Sequence, residues 1–213
     1  MRIKNIAVMV SGGGTNLQAL IDAIKRGEIN ARICCVISSK SGVYSLERAK
    51  DNGIKSIVID KKEFLSEQDY DTKLLNTLNE FGAEYIVLAG FLSILSKQVV
   101  SKYKNKILNV HPSLIPSFCG KGHYGIKVHE AALAYGVKVT GATVHFVDEG
   151  MDTGPIVFQA AAEVLQGDTP EILQQRVMKL EHRLLPKAVS LLVDDRLLVD
   201  GRNVTIKNSL KEV

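Results

Sequence analysis

The chain has no apolar run long enough to span a bilayer. Its longest mostly apolar stretch, Tyr85 to Leu95, falls short of the roughly 20 residues a membrane helix needs. Near the N-terminus the apolar stretch covers only Ile6 to Val10 before Ser11 and a run of glycines. That is too short for the core of a secretory signal, so a cytoplasmic protein with no membrane partner is expected. Cysteine is scarce and odd in number: three residues, two of them adjacent (Cys34, Cys35). A disulfide framework is therefore not expected, which fits a reducing compartment, and Cys34-Cys35 reads as part of a buried strand. Dense Lys/Arg blocks and basic segments interleaved with aromatics are missing too, so nucleic acid is not an expected partner. The tightest basic cluster, Lys102, Lys104 and Lys106, reads as a solvated helix end.

What is present is ordinary for a folded protein. The 213 residues are 46% hydrophobic and 23% charged, enough for a core and most simply one domain. Lys+Arg 27 against Asp+Glu 23 gives a net charge of +4, a mild basicity that suits an anionic small molecule.

Short β-branched runs alternate with helical patterns in the first half. Ile6–Val10, Arg32–Ile37, Ser56–Ile59, Tyr85–Leu88 and Ile107–Val110 read as strands. Leu17, Leu20, Ile21 and Ile24 repeat at helical spacing, Ser45–Asn52 reads as a short helix, and Tyr70–Phe81 as a longer one. This alternation implies a mostly parallel α/β sheet with helices on both faces, which places ligands at the carboxyl ends of the strands. Beyond Val110 the pattern changes. His111–Ile126 reads as a long loop, Lys127–Tyr135 as a helix, and Lys138–Val147 and Ile156–Val164 as strands flanking the turn-rich Asp148–Pro155. Thr169–Leu192 is the longest helical pattern, and the tail Asp194–Val213 has room for one more strand.

Two segments at strand ends carry chemistry. Ser11-Gly12-Gly13-Gly14-Thr15-Asn16 follows a strand and opens a helix. Its glycines allow close backbone approach, the helix start attracts an anion, and Thr15 and Asn16 can cap the helix or donate to a phosphate. It lacks the Lys of a Walker loop. A dinucleotide fingerprint would need a glycine where Leu17 stands. A phosphate monoester site and a tight strand–helix turn without ligand are the readings left. In Asn109-Val-His111 the period of two sends an amide and an imidazole to the same face of a strand end. That pair suits acyl transfer, with the amide on an oxyanion and the imidazole on a proton; a capping Asn and a structural His are the alternative. His145, between Val144 and Phe146, either faces the same pocket or is structural. Neither Cys119 as a nucleophile nor His111, His123 and His129 as metal ligands fits a known spacing, so no metal is expected.

Taken in order, Val10–Gln18, Leu88-Ala-Gly-Phe91, Leu108–Pro116 and Thr143–Val147 followed by Met151-Asp-Thr-Gly-Pro155 resemble the phosphoribosylglycinamide formyltransferases. The resemblance covers about Ile6 to Pro186. It implies a Rossmann-like formyltransferase fold with an antiparallel extension in the C-terminal half. The chain would be one domain, 1–213, with a phosphate-binding half (1–105) and a catalytic and folate-binding half (106–213). The implied reaction is formyl transfer from 10-formyltetrahydrofolate to the amine of glycinamide ribonucleotide in purine synthesis, by a monomer or homodimer. The implied catalytic trio is Asn109, His111 and Asp152, with Asp152 holding His111 charged and raising its pKa. Gly14, Thr15 and Asn16 would bind phosphate and Glu181 the ribose hydroxyls. The folate pocket would use Leu92, Ser93, Ile94 and Leu95 with Asn109, Asp148, Glu149 and Asp152. Familiar members carry Met-Arg where Leu92-Ser93 stands and often a basic residue where Glu67 stands; Lys61 or Lys62 is the expected substitute. Deformylases and tRNA formyltransferases of the same superfamily carry an additional N- or C-terminal domain; with the first strand near Ile6 and a short tail after Pro186, neither is the expected reading. A phosphate sensor or folate-binding module would not need Asn109, His111 and Asp152 together.

Overall fold

The computed structural model describes residues 2–207. A seven-stranded sheet has the order β3-β2-β1-β4-β5-β6-β7. Its members are β1 (Lys4–Val10), β2 (Ala31–Ser38), β3 (Ser56–Val58), β4 (Tyr85–Leu88), β5 (Ile107–His111), β6 (Val139–Phe146) and β7 (Ile156–Glu163). Neighbours from β3 to β5 pair in parallel, while β6 and β7 pair antiparallel, so the expected mixed sheet is present.

Alternation along β1 shows why the sheet is covered on both faces. Ile6, Val8 and Val10 enter one core, whereas Ala7 and Met9 enter the other, all fully buried. The first core is closed by α1 (Thr15–Lys25), α2 (Tyr44–Asp51), α5 (Ile126–Tyr135) and α6 (Pro170–Val193), through residues such as Leu17, Ala49, Ala132 and Leu185. The second is closed by α3 (Glu67–Glu80) and α4 (Lys97–Lys102). Leu74 and Leu78, one helical turn apart on α3, are both fully buried, and each contributes about 1.5–3 kcal/mol through removal from water.

Local chemistry adjusts several expected boundaries. Helix α3 starts at Glu67, three residues earlier than its apolar face suggests, because the Ser66 hydroxyl accepts from the Asp69 N–H. The short α4 was not legible from periodicity; Ser96 caps it, and it ends at Lys102, the first of the three clustered lysines. Thr15 and Asn16 do not cap α1. They lie inside it, and the N-cap is Gly14 at φ 72° with no side-chain cap. A Cβ at Gly14 would lie 2.6 Å from the Ser45 Cβ, so both the left-handed backbone and the contact with α2 demand glycine there. The tail forms a two-stranded hairpin, β8 (Leu197–Asp200) and β9 (Asn203–Ile206), rather than a single strand; its last residues, 208–213, lie outside the described part. Cys35 is fully buried, and Cys34 is half-buried with its thiol on the Ile6 carbonyl. Among the described residues no helix is long and apolar enough to cross a membrane.

Candidate active site

Parallel pairing brings the carboxyl ends of β1, β2, β4 and β5 to one edge. There the Ser11 N–H donates to the Gly90 carbonyl (3.1 Å), the Ser11 and Ser39 hydroxyls share a 2.6 Å bond, and the Leu92 N–H donates to the Ser11 hydroxyl (2.9 Å). The glycine loop is thereby tied to the segment after β4. Next to them opens a cavity of about 510 Å³. Its walls include Leu92, Ser93, Ile94 and Leu95 on one side and Gly120–Gly125 on the other, with Asn109, His111, His145 and Asp152 between them.

Each of these side chains arrives for a local reason. Asn109 and His111 alternate with Leu108 and Val110 along β5. Antiparallel pairing sets His145 of β6 directly opposite Asn109 and Thr143 opposite His111. Asp152 comes from the turn after β6, at φ 57°. That turn folds back so closely that a Cβ at Gly154 would lie 1.8 Å from the Phe146 carbonyl oxygen, a space only glycine fits. The structure therefore brings Asn109, His111 and Asp152 together.

Hydrogen bonds fix the orientation of the polar groups. His145 Nδ1–H donates to the Phe146 carbonyl (2.7 Å), which leaves Nε2 as an acceptor for the Asn109 amide N–H at 3.1 Å. The second amide hydrogen faces Asp152 Oδ1 at 3.4 Å, a long contact. Thus His145 faces the pocket and sets which end of the Asn109 amide is the donor. His111 Nε2–H donates to the Phe118 carbonyl (2.9 Å), and its Nδ1 lies 3.7 Å from Asp152 Oδ2. The Gly120 N–H donates to the same Oδ2 (2.9 Å).

The expected upward shift of His111 is not what the surroundings produce. Burial pushes its pKa below the ordinary value, and the attraction of Asp152 and the hydrogen bond to Phe118 do not compensate. The carboxylate is too far, at 3.7 Å, to offset the loss of water around a ring that is only 5% exposed. The proximity of His145 and His123 further disfavours a positive charge on His111. Burial also pushes the Asp152 carboxyl up, but the Gly120 N–H on Oδ2 and any positive charge arriving on His145 or His111 hold it below the usual carboxylate range.

The other expected residues divide. Asp148 lines the cavity, with its carboxylate accepting from the Gly150 N–H and the Thr153 hydroxyl. Glu149 does not line it; an exposed ion pair with Lys97 (2.9 Å) turns it away. Lys61 pairs with Glu67 at 2.6 Å. The lysines that do line the cavity are Lys40 and Lys121, which periodicity and spacing did not single out. Asn16 and Glu181 meet away from this cavity, on α1 and α6, joined by a 2.6 Å bond from the Asn16 amide to the carboxylate. The Asn16 Oδ1 atom is buried without a partner. Burial pushes the Glu181 carboxyl up, opposed by the Asn16 amide. Thr15 lines a second hollow of about 420 Å³ with Gln18, Arg48 and His182, and Arg48 braces the glycine loop through the Gly13 carbonyl (2.9 Å). His129 is buried in α5, burial and nearby His111 pushing its pKa down to about 4. Among the described residues no group of three or more His, Cys, Asp or Glu is placed to hold a metal ion.

Comparison with known proteins gives the same direction. Residues 4–189 match the family model described as Formyl transferase. The chain is 47% identical over 186 residues to the trifunctional purine biosynthetic protein adenosine-3 of Gallus gallus, covering 87% of this chain but 18% of that protein. It is 38% identical over 197 residues to the chloroplastic phosphoribosylglycinamide formyltransferase of Arabidopsis thaliana, covering 92% of this chain and 68% of the relative. The crystal structure of glycinamide ribonucleotide transformylase 1 from Symbiobacterium toebii superposes with a TM-score of 0.91 at 40% identity, covering 97% of this chain and 95% of that one.

Proposed function

Because the chain belongs to the formyl transferase family, we propose that it transfers a formyl group from 10-formyltetrahydrofolate to the amine of glycinamide ribonucleotide, a step of de novo purine synthesis. The observation that carries this reading is the convergence of the Asn109 amide, the His111 imidazole and the Asp152 carboxylate on one cavity of about 510 Å³. The cytoplasm is the compartment we assign to it, on the three free cysteines, which suit a reducing environment. Residues 1–105 then act as the phosphate-binding half and 106–213 as the catalytic and folate-binding half of one unit.

In the proposed mechanism the neutral amine attacks the formyl carbon and the carbonyl oxygen becomes an oxyanion. Asn109 redirects toward that oxygen the amide hydrogen that otherwise makes only the 3.4 Å contact with Asp152. His111 rests neutral, because burial depresses its pKa. It takes the proton of the attacking amine on Nδ1, pairs as imidazolium with Asp152, and returns the proton to the folate nitrogen as the C–N bond breaks. Leu92–Leu95 and Asp148 flank the pterin, and Lys40 and Lys121 receive the anionic tail of the donor. The backbone and side chains of Gly14, Thr15 and Asn16 receive the phosphate, and Glu181 the ribose hydroxyls; the unpartnered Asn16 Oδ1 is a ready acceptor beside it.

Absorbance of the released tetrahydrofolate product, followed with and without glycinamide ribonucleotide, tests the reading. A signal that needs the ribonucleotide supports it; the same signal without the ribonucleotide marks a hydrolase and rejects it.

Glu181 offers a separate test. Its folded-state pKa is raised above the ordinary 4.5, so its protonated form is favoured on folding, and that advantage fades as pH rises through the shifted value. Glu181→Gln keeps an acceptor for Asn16 and mimics the protonated acid. In thermal melts it should exceed the parent protein at pH 8, with the gap closing toward pH 4.5, while KM for the ribonucleotide rises. A gap that widens on acidification would contradict the assignment.

A further inference from the structure

The long loop between β5 and α5 reaches the site through its backbone. The Phe118 carbonyl accepts from His111 Nε2–H, and two residues later the Gly120 N–H donates to Asp152 Oδ2, both at 2.9 Å. The residue between them, Cys119, makes neither contact. Phe118 holds φ 50°, a left-handed backbone that a residue with a large side chain rarely adopts. Something must therefore hold it there. Its ring packs on the first core and meets the Tyr135 ring edge-on, centroids 5.9 Å apart, with the His123 ring at 6.4 Å. Tyr135, the last residue of α5, is 81% exposed. It is absent from the cavity walls, so exposure alone would mark it as dispensable.

We propose that Phe118 is a positioning residue for His111, its ring anchored by Tyr135 so that its carbonyl holds the imidazole proton on Nε2. A carbonyl oxygen can only accept, so this contact selects the Nε2–H tautomer and leaves the Nδ1 lone pair toward Asp152. Released from Phe118, the ring can carry its proton on Nδ1 instead and donate to Asp152. That would occupy the nitrogen the reaction requires. The kinetic part of this inference rests on His111 being the proton carrier proposed above; the tautomer part does not. The titratable groups facing His111 are Asp152, His145 from β6, His123 from the same loop and His129 from α5.

The test is ¹⁵N NMR of the His111 ring in the free protein, with kcat, KM and melting temperature measured alongside. The parent protein should show Nε2–H. In Phe118→Ala the Nδ1–H form should appear and kcat fall about tenfold or more, since small misplacements at a reacting group are costly, with KM for the ribonucleotide within about twofold. Phe118→Tyr, which keeps the ring, should restore both. Tyr135→Ala should shift both in the same direction with an unchanged melting temperature, and adding it to Phe118→Ala should cost nothing more. Should Phe118→Ala fail to fold, Tyr135→Ala alone decides. An unaltered Nε2–H signal in folded variants overturns the proposal. A changed tautomer with full kcat leaves the positioning role standing and instead rejects His111 as the proton carrier.

Discussion

Asn109→Ala is expected to lower kcat by about 100- to 1,000-fold, the usual cost of removing one oxyanion donor, with little change in KM for glycinamide ribonucleotide. The two effects separate because the donor and the substrate's phosphate are handled in different places. Asn109 sits on β5 in the large cavity, whereas the glycine loop and Asn16 open α1. Near-normal turnover would remove Asn109 from the chemistry. The variant also leaves His145 Nε2 without its 3.1 Å partner, and an unsatisfied buried acceptor costs about 1–3 kcal/mol. A melting curve must therefore accompany the kinetics. Asn109→Asp is the sharper companion: it keeps the shape, removes both amide hydrogens and sets a second carboxylate beside Asp152. Its turnover should fall at least as far.

His111→Ala is expected to cost about 10²–10⁴ in kcat, the range for a positioned acid–base group. The pH profile of the parent protein adds a sign. Because burial depresses the His111 pKa below its ordinary value of 6.5, the ring is neutral at pH 7, and kcat should fall only on the acidic side of 6.5. A charged, imidazolium-based mechanism would give the reverse, with activity lost as pH rises through a raised pKa. In His111→Ala the acid limb assigned to this ring should vanish from the residual activity. An acid limb that persists unmoved would assign the titration to another group, such as Asp152.

Strands β1, β2, β4 and β5 were legible as short β-branched apolar runs, the mark of strands buried on both faces, and α1 and α3 because each buries one face, which writes a helical period into its apolar residues. The alternation of Asn109 and His111 along a strand end is the same kind of signal, and both side chains line one cavity. The short α4 was not legible: six residues hold too few apolar positions to display a period, and its start rests on a single cap at Ser96. Asn109 opposite His145 depends on the antiparallel register of β5 and β6, which periodicity along one strand does not contain. The contacts from Phe118 and Gly120 use backbone atoms, which leave no residue-type signature. The direction of the His111 shift failed for a quantitative reason: proximity to Asp152 was legible, but the 3.7 Å gap and the depth of burial were not. The pairing of Glu149 with Lys97 and of Lys61 with Glu67 was not legible either, because the partner of a surface charge is set by the fold and not by position along the chain.

The most direct measurement of the account is transfer of label from 10-formyltetrahydrofolate carrying ¹³C in its formyl group. Incubated with the protein and glycinamide ribonucleotide, the label should appear by mass spectrometry in the formylated ribonucleotide, in step with loss of the donor, and should disappear from that product in Asn109→Asp. Label recovered as free formate, at a rate indifferent to the ribonucleotide, would contradict it.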